Sequence, residues 1–231
     1  MNLIFRRSDM SARFRRPAML EPEDAENIVG DKDPALRSDI AHTTAQLLVG
    51  TYNGYFDKPL MLGDATSTPE VLIPRLREIA ASGNVDLVAE LWSGQPATTL
   101  PGALWRLYLL REWARRDKQT TLDRYNQGLQ APKASHGVDT PPPFKQAFGA
   151  INQVLGGAPE DTEEPLAWVG SRLVVAAQVM RILAAGAAGP DWITSDQDAL
   201  ADQVTRRAAA LTKTAKDFEE AAKAAANHNL N

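Results

Sequence analysis

The sequence predicts an all-α protein: a helical bundle or irregular helical array of seven to nine helices. Apolar residues recur three and four positions apart over most of the chain, which is the period of a buried helix face. Proline and glycine stand at the ends of these segments, where helices begin and stop. One strand signal opposes the pattern. Asn53-Gly54, between Thr51-Tyr52 and Tyr55-Phe56, allows one small hairpin near residues 51–56.

Residues 1–33 are predicted to form a mobile, charged N-terminal arm. Five arginines against one aspartate give residues 1–20 a net charge of +4, although the whole chain carries −4. Charge blocks of this kind are usually solvated. The alternative is a segment that binds nucleic acid or an anionic surface. Its anion-binding residues would be Arg6, Arg7, Arg13, Arg15 and Arg16.

Residues 34–227 are predicted to form a single all-α domain in two helical halves, 34–130 and 144–227, joined by a proline-rich loop at 131–143. Three consecutive prolines in that loop favour an extended spacer over a ligand for a proline-binding module. The helices of the first half are expected at 34–49, 69–81, 85–92, 100–118 and 120–129. Those of the second half are expected at 144–155, 165–185 and 196–226.

The helix from Leu100 to Lys118 is the most apolar of the first half. Thr99 is its expected N-cap, and Arg106 is the only polar residue from position 104 to 110, which predicts burial on nearly all sides. Its C-terminal end is basic. Cations there either stabilise the helix dipole at a solvated end or form an anion-binding patch. The patch would consist of Arg111, Arg115 and Arg116.

The helix at 165–185 is expected to bury an apolar core that includes Leu173, Val174 and Met180. Arg172 and Arg181 lie on opposite sides of it, since successive residues turn by 100°. One of the two must therefore face protein and needs a carboxylate partner.

The C-terminal helix carries a heptad pattern. Alanine recurs every seven residues from Ala201 to Ala222, and Val204, Leu211, Phe218 and Ala225 follow three residues later. Alanine at one seam position predicts a tightly packed, antiparallel neighbour. The helix either packs within its own bundle or forms a homodimer through 201–225. The residues predicted to bind a partner are Ala208, Leu211, Ala215 and Phe218, together with the aromatic cluster Tyr52, Tyr55 and Phe56.

The sequence contains no recognisable catalytic, nucleotide-binding or metal-binding motif. It has no cysteine and three histidines, so no cofactor and no metal site is predicted. No secretory signal and no run of about 18 uninterrupted apolar residues is present, so a cytoplasmic protein without a transmembrane segment is expected. Asp39 and His42, three residues apart, are the one pairing that would suit an unrecognised α-helical enzyme.

Taken together, these observations favour a non-enzymatic, cytoplasmic interaction or scaffold protein that binds another protein through a helical face. One alternative function is binding of nucleic acid or an anionic surface through the arginine-rich arm. The other is an α-helical enzyme with an unrecognised site.

Overall fold

Eight α-helices and one two-stranded hairpin make up the part of the chain that the computed structural model describes. The described residues are 34–52, 60–62, 65–67, 74–75, 78, 85–159, 161–187 and 208–231. The predicted arm and the start of the predicted C-terminal helix lie outside them. The helices are α1 (Pro34–Val49), α2 (Asp86–Trp92), α3 (Leu100–Arg116), α4 (Lys118–Gln130), α5 (Lys133–His136), α6 (Phe144–Leu155), α7 (Pro165–Ala187) and α8 (Ala208–Ala226). The predicted all-α fold is confirmed.

The described residues include a hairpin that the sequence did not predict. Strands β1 (Leu60–Leu62) and β2 (Ala65–Ser67) pair antiparallel, with Leu60 opposite Ser67. Thr51 and Tyr52 adopt neither helix nor strand, and the Asn53-Gly54 turn lies outside the described residues. Within the helix predicted at 69–81, the described residues Pro74, Arg75 and Glu78 are helical.

Helix α7 is the centre of the fold, and α4, α5, α6 and α8 pack on it. Leu173 and Met180 are fully buried, as predicted. By length and composition α7 could also cross a membrane: its 23 residues include an 18-residue window of mean hydropathy 1.4. The sequence did not predict a membrane span here, because two arginines and two other polar residues interrupt the apolar run. Half of that window is buried against the rest of the chain.

Helices α4 and α7 cross at two glycines. A Cβ atom added to Gly128 of α4 would lie 1.9 Å from the carbonyl oxygen of Ile182, and one added to Gly186 of α7 would lie 2.0 Å from that of Arg124. Both obstacles are backbone atoms, which cannot rotate away as a side chain can. Contact between the two helices therefore depends on the absence of a side chain at both positions.

Substituting Gly128 with alanine is expected to destabilise the protein by about 1–3 kcal/mol, because the new methyl group forces α4 and α7 apart. Gly149→Ala in α6 is the matched control. Nothing lies within 4 Å of its added Cβ, so the exchange should instead stabilise the helix by about 0.5–1 kcal/mol. Urea denaturation of both variants measures the difference. Equal stability of the two variants would show that the α4–α7 crossing is not as close as the structure has it.

The loop 131–143 is more ordered than the sequence predicted. It contains the short helix α5, and the Tyr125 hydroxyl donates to the carbonyl oxygen of Pro142 at 2.5 Å, which ties the proline-rich stretch to α4. The C-terminal residues also pack on the domain. Leu230 is buried, and the main-chain oxygen of Asn231 accepts a hydrogen bond from the Leu100 amide at 2.8 Å.

Candidate functional site

The basic end of α3 is a cluster of three arginines around one buried carboxylate, Glu112. Arg111 donates to Glu112 Oε1 from Nε at 3.1 Å and from Nη2 at 2.9 Å. Arg115 donates to Oε2 from Nε at 3.1 Å and from Nη2 at 2.7 Å, and Arg116 Nε lies 3.8 Å from the same oxygen. A guanidinium group suits this arrangement because its fork of donors matches both oxygens of a carboxylate. We call these four residues the Glu112 cluster.

The surroundings of the Glu112 cluster add a second carboxylate. Arg111 Nη2 lies 3.6 Å from Asp86 Oδ1 at the start of α2, and its guanidinium carbon lies 5.2 Å from the ring centre of Tyr108. Burial, a hydrogen bond with Asp86 and the nearby acids raise the pKa of Tyr108 to about 12. Tyr108 therefore stays neutral at physiological pH.

The anion-binding hypothesis for α3 is weakened by this geometry. The three predicted arginines do lie together, but Glu112 and Asp86 already neutralise two of their three charges. Arg115 and Arg116 remain exposed to solvent, with their donors directed back toward Glu112. The arginines of the arm, from Arg6 to Arg16, lie outside the described residues, so their convergence on this cluster stays a prediction.

Replacing Glu112 with glutamine is expected to lower the free energy of unfolding by about 1–3 kcal/mol. The charge-assisted hydrogen bonds become weaker, and the three arginines are left without the central anion. Part of the loss should return at high salt, which screens the repulsion among the arginines. Urea denaturation at low and high salt measures both effects. Glu220→Gln, at an exposed position of α8, is the control and should be neutral. A Glu112→Gln variant as stable as its control would mean that the cluster does not hold α3 in place.

The predicted partner-binding seam of α8 is occupied within the chain. Leu211, Ala215 and Phe218 are completely buried, while Ala208 is half-buried. Helix α7 supplies the close neighbour, since a Cβ added to its Gly170 would lie 3.0 Å from the Cβ of Ala225. The tight packing that the alanine heptad predicted is therefore present, but inside the bundle. This corrects the assignment of the three buried residues as a surface offered to a partner.

An aspartate in place of Leu211 is expected to destabilise the fold by at least about 3 kcal/mol, because it places a charge in the α7–α8 interface. The melting temperature should fall equally at low and high protein concentration. Lys213→Asp, at an exposed position of the same helix, is the control. A Leu211→Asp variant that stays folded and only changes from dimer to monomer in sedimentation velocity would contradict the intramolecular seam.

The remaining sequence candidates do not form a site among the described residues. Tyr52 is half-buried against the core, and Tyr55 and Phe56 lie outside the described residues. His42 Nδ1 contacts the Ser38 carbonyl oxygen of its own helix at 2.9 Å, whereas Asp39 is exposed. This contact, and not the carboxylate of Asp39, orients the imidazole. Among the residues that the structure describes, no cluster of three metal-ligating side chains occurs.

The structure does show a groove over the outward face of α7, which the sequence did not indicate. Val174 was predicted to be core, yet 45% of its surface is exposed, although the residues on either side, Leu173 and Val175, contribute to the core. The groove holds about 360 Å³. Its floor is the face of α7 that carries Val174, Ala177, Gln178 and Arg181; one wall is the loop Gly137–Thr140, and the other is Glu219 of α8. We call it the α7 groove.

Two ion pairs border the α7 groove. Arg181 donates to Glu219 from Nε at 2.6 Å and from Nη2 at 2.9 Å, which is the carboxylate partner that the sequence required for one of the two arginines. This arginine lowers the pKa of Glu219, and Lys133 similarly lowers the pKa of Asp139 on the opposite wall. The second arginine, Arg172, lies over the ring of Trp168 at 4.2 Å.

The positions that form the α7 groove carried only a weak signal in the sequence. Val174, Gln178 and Arg181 follow the spacing i, i+4, i+7, so they share one side of the helix. Two of the three are polar, which is the only sign that this side is not buried. Comparison of the chain with known protein families, with curated proteins and with solved structures finds no match.

Proposed function

We propose that this chain is a non-enzymatic interaction protein that binds a short segment of another protein in the α7 groove. The observation that carries the proposal is the exposure of Val174, a large apolar side chain, between core residues of α7. The cytoplasmic location expected from the sequence stays a prediction beside it.

The chemistry of the groove suits a polypeptide segment. Val174 offers an exposed apolar surface in the floor, on which one apolar side chain of the partner can lose its water. The amide of Gln178 and the hydroxyl of Thr140 provide donors and acceptors that match a peptide backbone. The two ion pairs at the rim carry no net charge, so the site favours a segment that is itself close to neutral.

The helical-face hypothesis thus moves from α8 to the adjacent face of α7. Binding at the basic end of α3 is the weaker proposal, because its arginines are held by carboxylates of the same chain. The α7 groove needs no such displacement, since Val174 is already exposed.

The proposal is tested with selected peptides and one blocking substitution. Random 12-residue peptides are displayed on phage and selected on the full chain, and the affinity of the selected peptides is measured by fluorescence anisotropy. Val174→Arg fills the floor with a charged side chain and should weaken binding about tenfold or more, as for an anchor position in an interface. The backbone amides of the groove wall and of α7 should shift in NMR spectra when peptide is added.

Leu129→Arg is the matched control, because Leu129 of α4 is the other large apolar residue exposed among the described residues, at 41%, and it does not line the groove. Its affinity should stay within about twofold of the parent. The proposal fails if selection yields no peptide, or if the selected peptides bind Val174→Arg as tightly as the parent. Peptides or oligonucleotides that instead lose binding in Arg115→Glu/Arg116→Glu would place the site at the Glu112 cluster.

A further inference from the structure

The loop Gly137–Thr140, one wall of the α7 groove, is held by a buried histidine. His136 ends α5 and is only 5% exposed. Its Nδ1 accepts a hydrogen bond from the main-chain N–H of Val138 at 3.2 Å, and the Val138 side chain is buried as well. Gly137 between them adopts the left-handed conformation, with φ +66°, which turns the chain back so that the bond can form.

This hydrogen bond requires the neutral imidazole. A ring nitrogen accepts a hydrogen bond only through its lone pair, and in imidazolium both nitrogens carry protons. Protonation of Nδ1 would therefore place its N–H opposite the main-chain N–H of Val138, so that two donors face each other. It would also place a positive charge in a buried position. Histidine is the side chain whose charge ordinarily changes between about pH 5 and pH 8.

The charged groups of α5, of its loop and of the adjacent groove are already paired. Within α5 and its loop these groups are Lys133 and Asp139, which pair with each other. From α7 the groove receives Arg181, and from α8 it receives Glu219, and these two also form a pair. The pKa values of Asp139 and Glu219 are lowered by their cationic partners, so both carboxylates stay ionised in the range where histidine titrates. The carboxylates that line the groove therefore keep their charges over this range, and the group whose hydrogen bond to the wall requires its neutral form is His136.

We propose that protonation of His136 releases the Val138 amide, loosens the wall Gly137–Thr140 and weakens the binding of a partner segment in the α7 groove. This inference rests on the proposed function, to which it adds a control by pH. Protonation of His136 acts only on the wall Gly137–Thr140. The floor formed by α7 is held by its neighbouring helices and should not change.

The test compares the parent chain with His136→Asn, whose side-chain oxygen can accept the Val138 N–H but cannot be protonated near neutrality. NMR is used to follow the His136 ring nitrogens and the amides of residues 138–140 in the peptide-free protein between about pH 7.5 and pH 5.5. The amides should titrate together with the imidazole. Affinity for a selected groove peptide without titratable residues should fall about three- to tenfold over the same range, which is the effect expected from one lost hydrogen bond. In His136→Asn both readouts should stay constant.

His42→Asn is the control for histidine substitution, because His42 lies on α1 and does not line the groove. It should keep the pH dependence of the parent. If peptide binds but the wall amides do not follow the imidazole, or if affinity is independent of pH, the inference is wrong and the proposed function stands. If no peptide binds at any pH, both are wrong. If His136→Asn does not fold, the parent and His42→Asn still test the inference. A pH dependence that both share, with wall amides that follow the His136 nitrogens, supports the inference. The absence of that pH dependence overturns it.

Discussion

Close approach of backbones to α7 is the constraint on which the rest of the structure depends. Helix α4 reaches it at Gly128 and Gly186, and α8 reaches it at Gly170, where an added Cβ would meet atoms of the neighbouring helix at 3.0 Å or less. Dispersion falls off steeply with separation, so small gaps at these crossings would remove much of the contact energy. Neighbouring helices bury half of the most apolar window of α7, and among the described residues Val174 on this helix stays exposed. The α7 groove is what is left after this packing.

Carboxylate–arginine pairing decides which charged surfaces are available. Glu112 holds three arginines, and Glu219 holds Arg181 through two donors. The Glu112 carboxylate lies between guanidinium groups, and the Glu219 carboxylate lies directly against one. In both places the hydrogen bonds fix the orientation of the guanidinium donors. At the C-terminal end of α3 this pairing neutralises most of the positive charge that an anionic partner would need. Beside the α7 groove it gives a rim that is polar but close to neutral, so in the proposed binding an apolar contact on Val174 would be the dominant attraction.

Local features of this fold could be read from the sequence, and long-range ones could not. The bounds of α1, the Thr99 cap of α3 and the heptad of α8 depend on neighbouring residues in the chain. The structure has the first two, and it has the heptad from residue 208 onward. The exposure of Val174 depends on which helices surround α7, and periodicity along one helix does not contain that information. The burial of His136 is similar, since its surroundings come from other elements and a loop of mixed composition does not reveal them. For the same reason, a heptad cannot distinguish a neighbour in its own chain from one in a second copy.

The misassigned seam and the proposed site are nevertheless connected. Alanines at the seam of α8 let that helix approach α7 closely, with Ala225 near Gly170 and Glu219 paired with Arg181 two turns earlier in α8. These contacts run in opposite chain order, so the two helices are antiparallel. The approach brings the Glu219 side chain to the edge of α7, where it forms one wall of the groove. The residues of α8 that the sequence predicted to bind a partner thus pack against α7 instead. The adjacent face of α7 is left exposed and forms the floor of the groove.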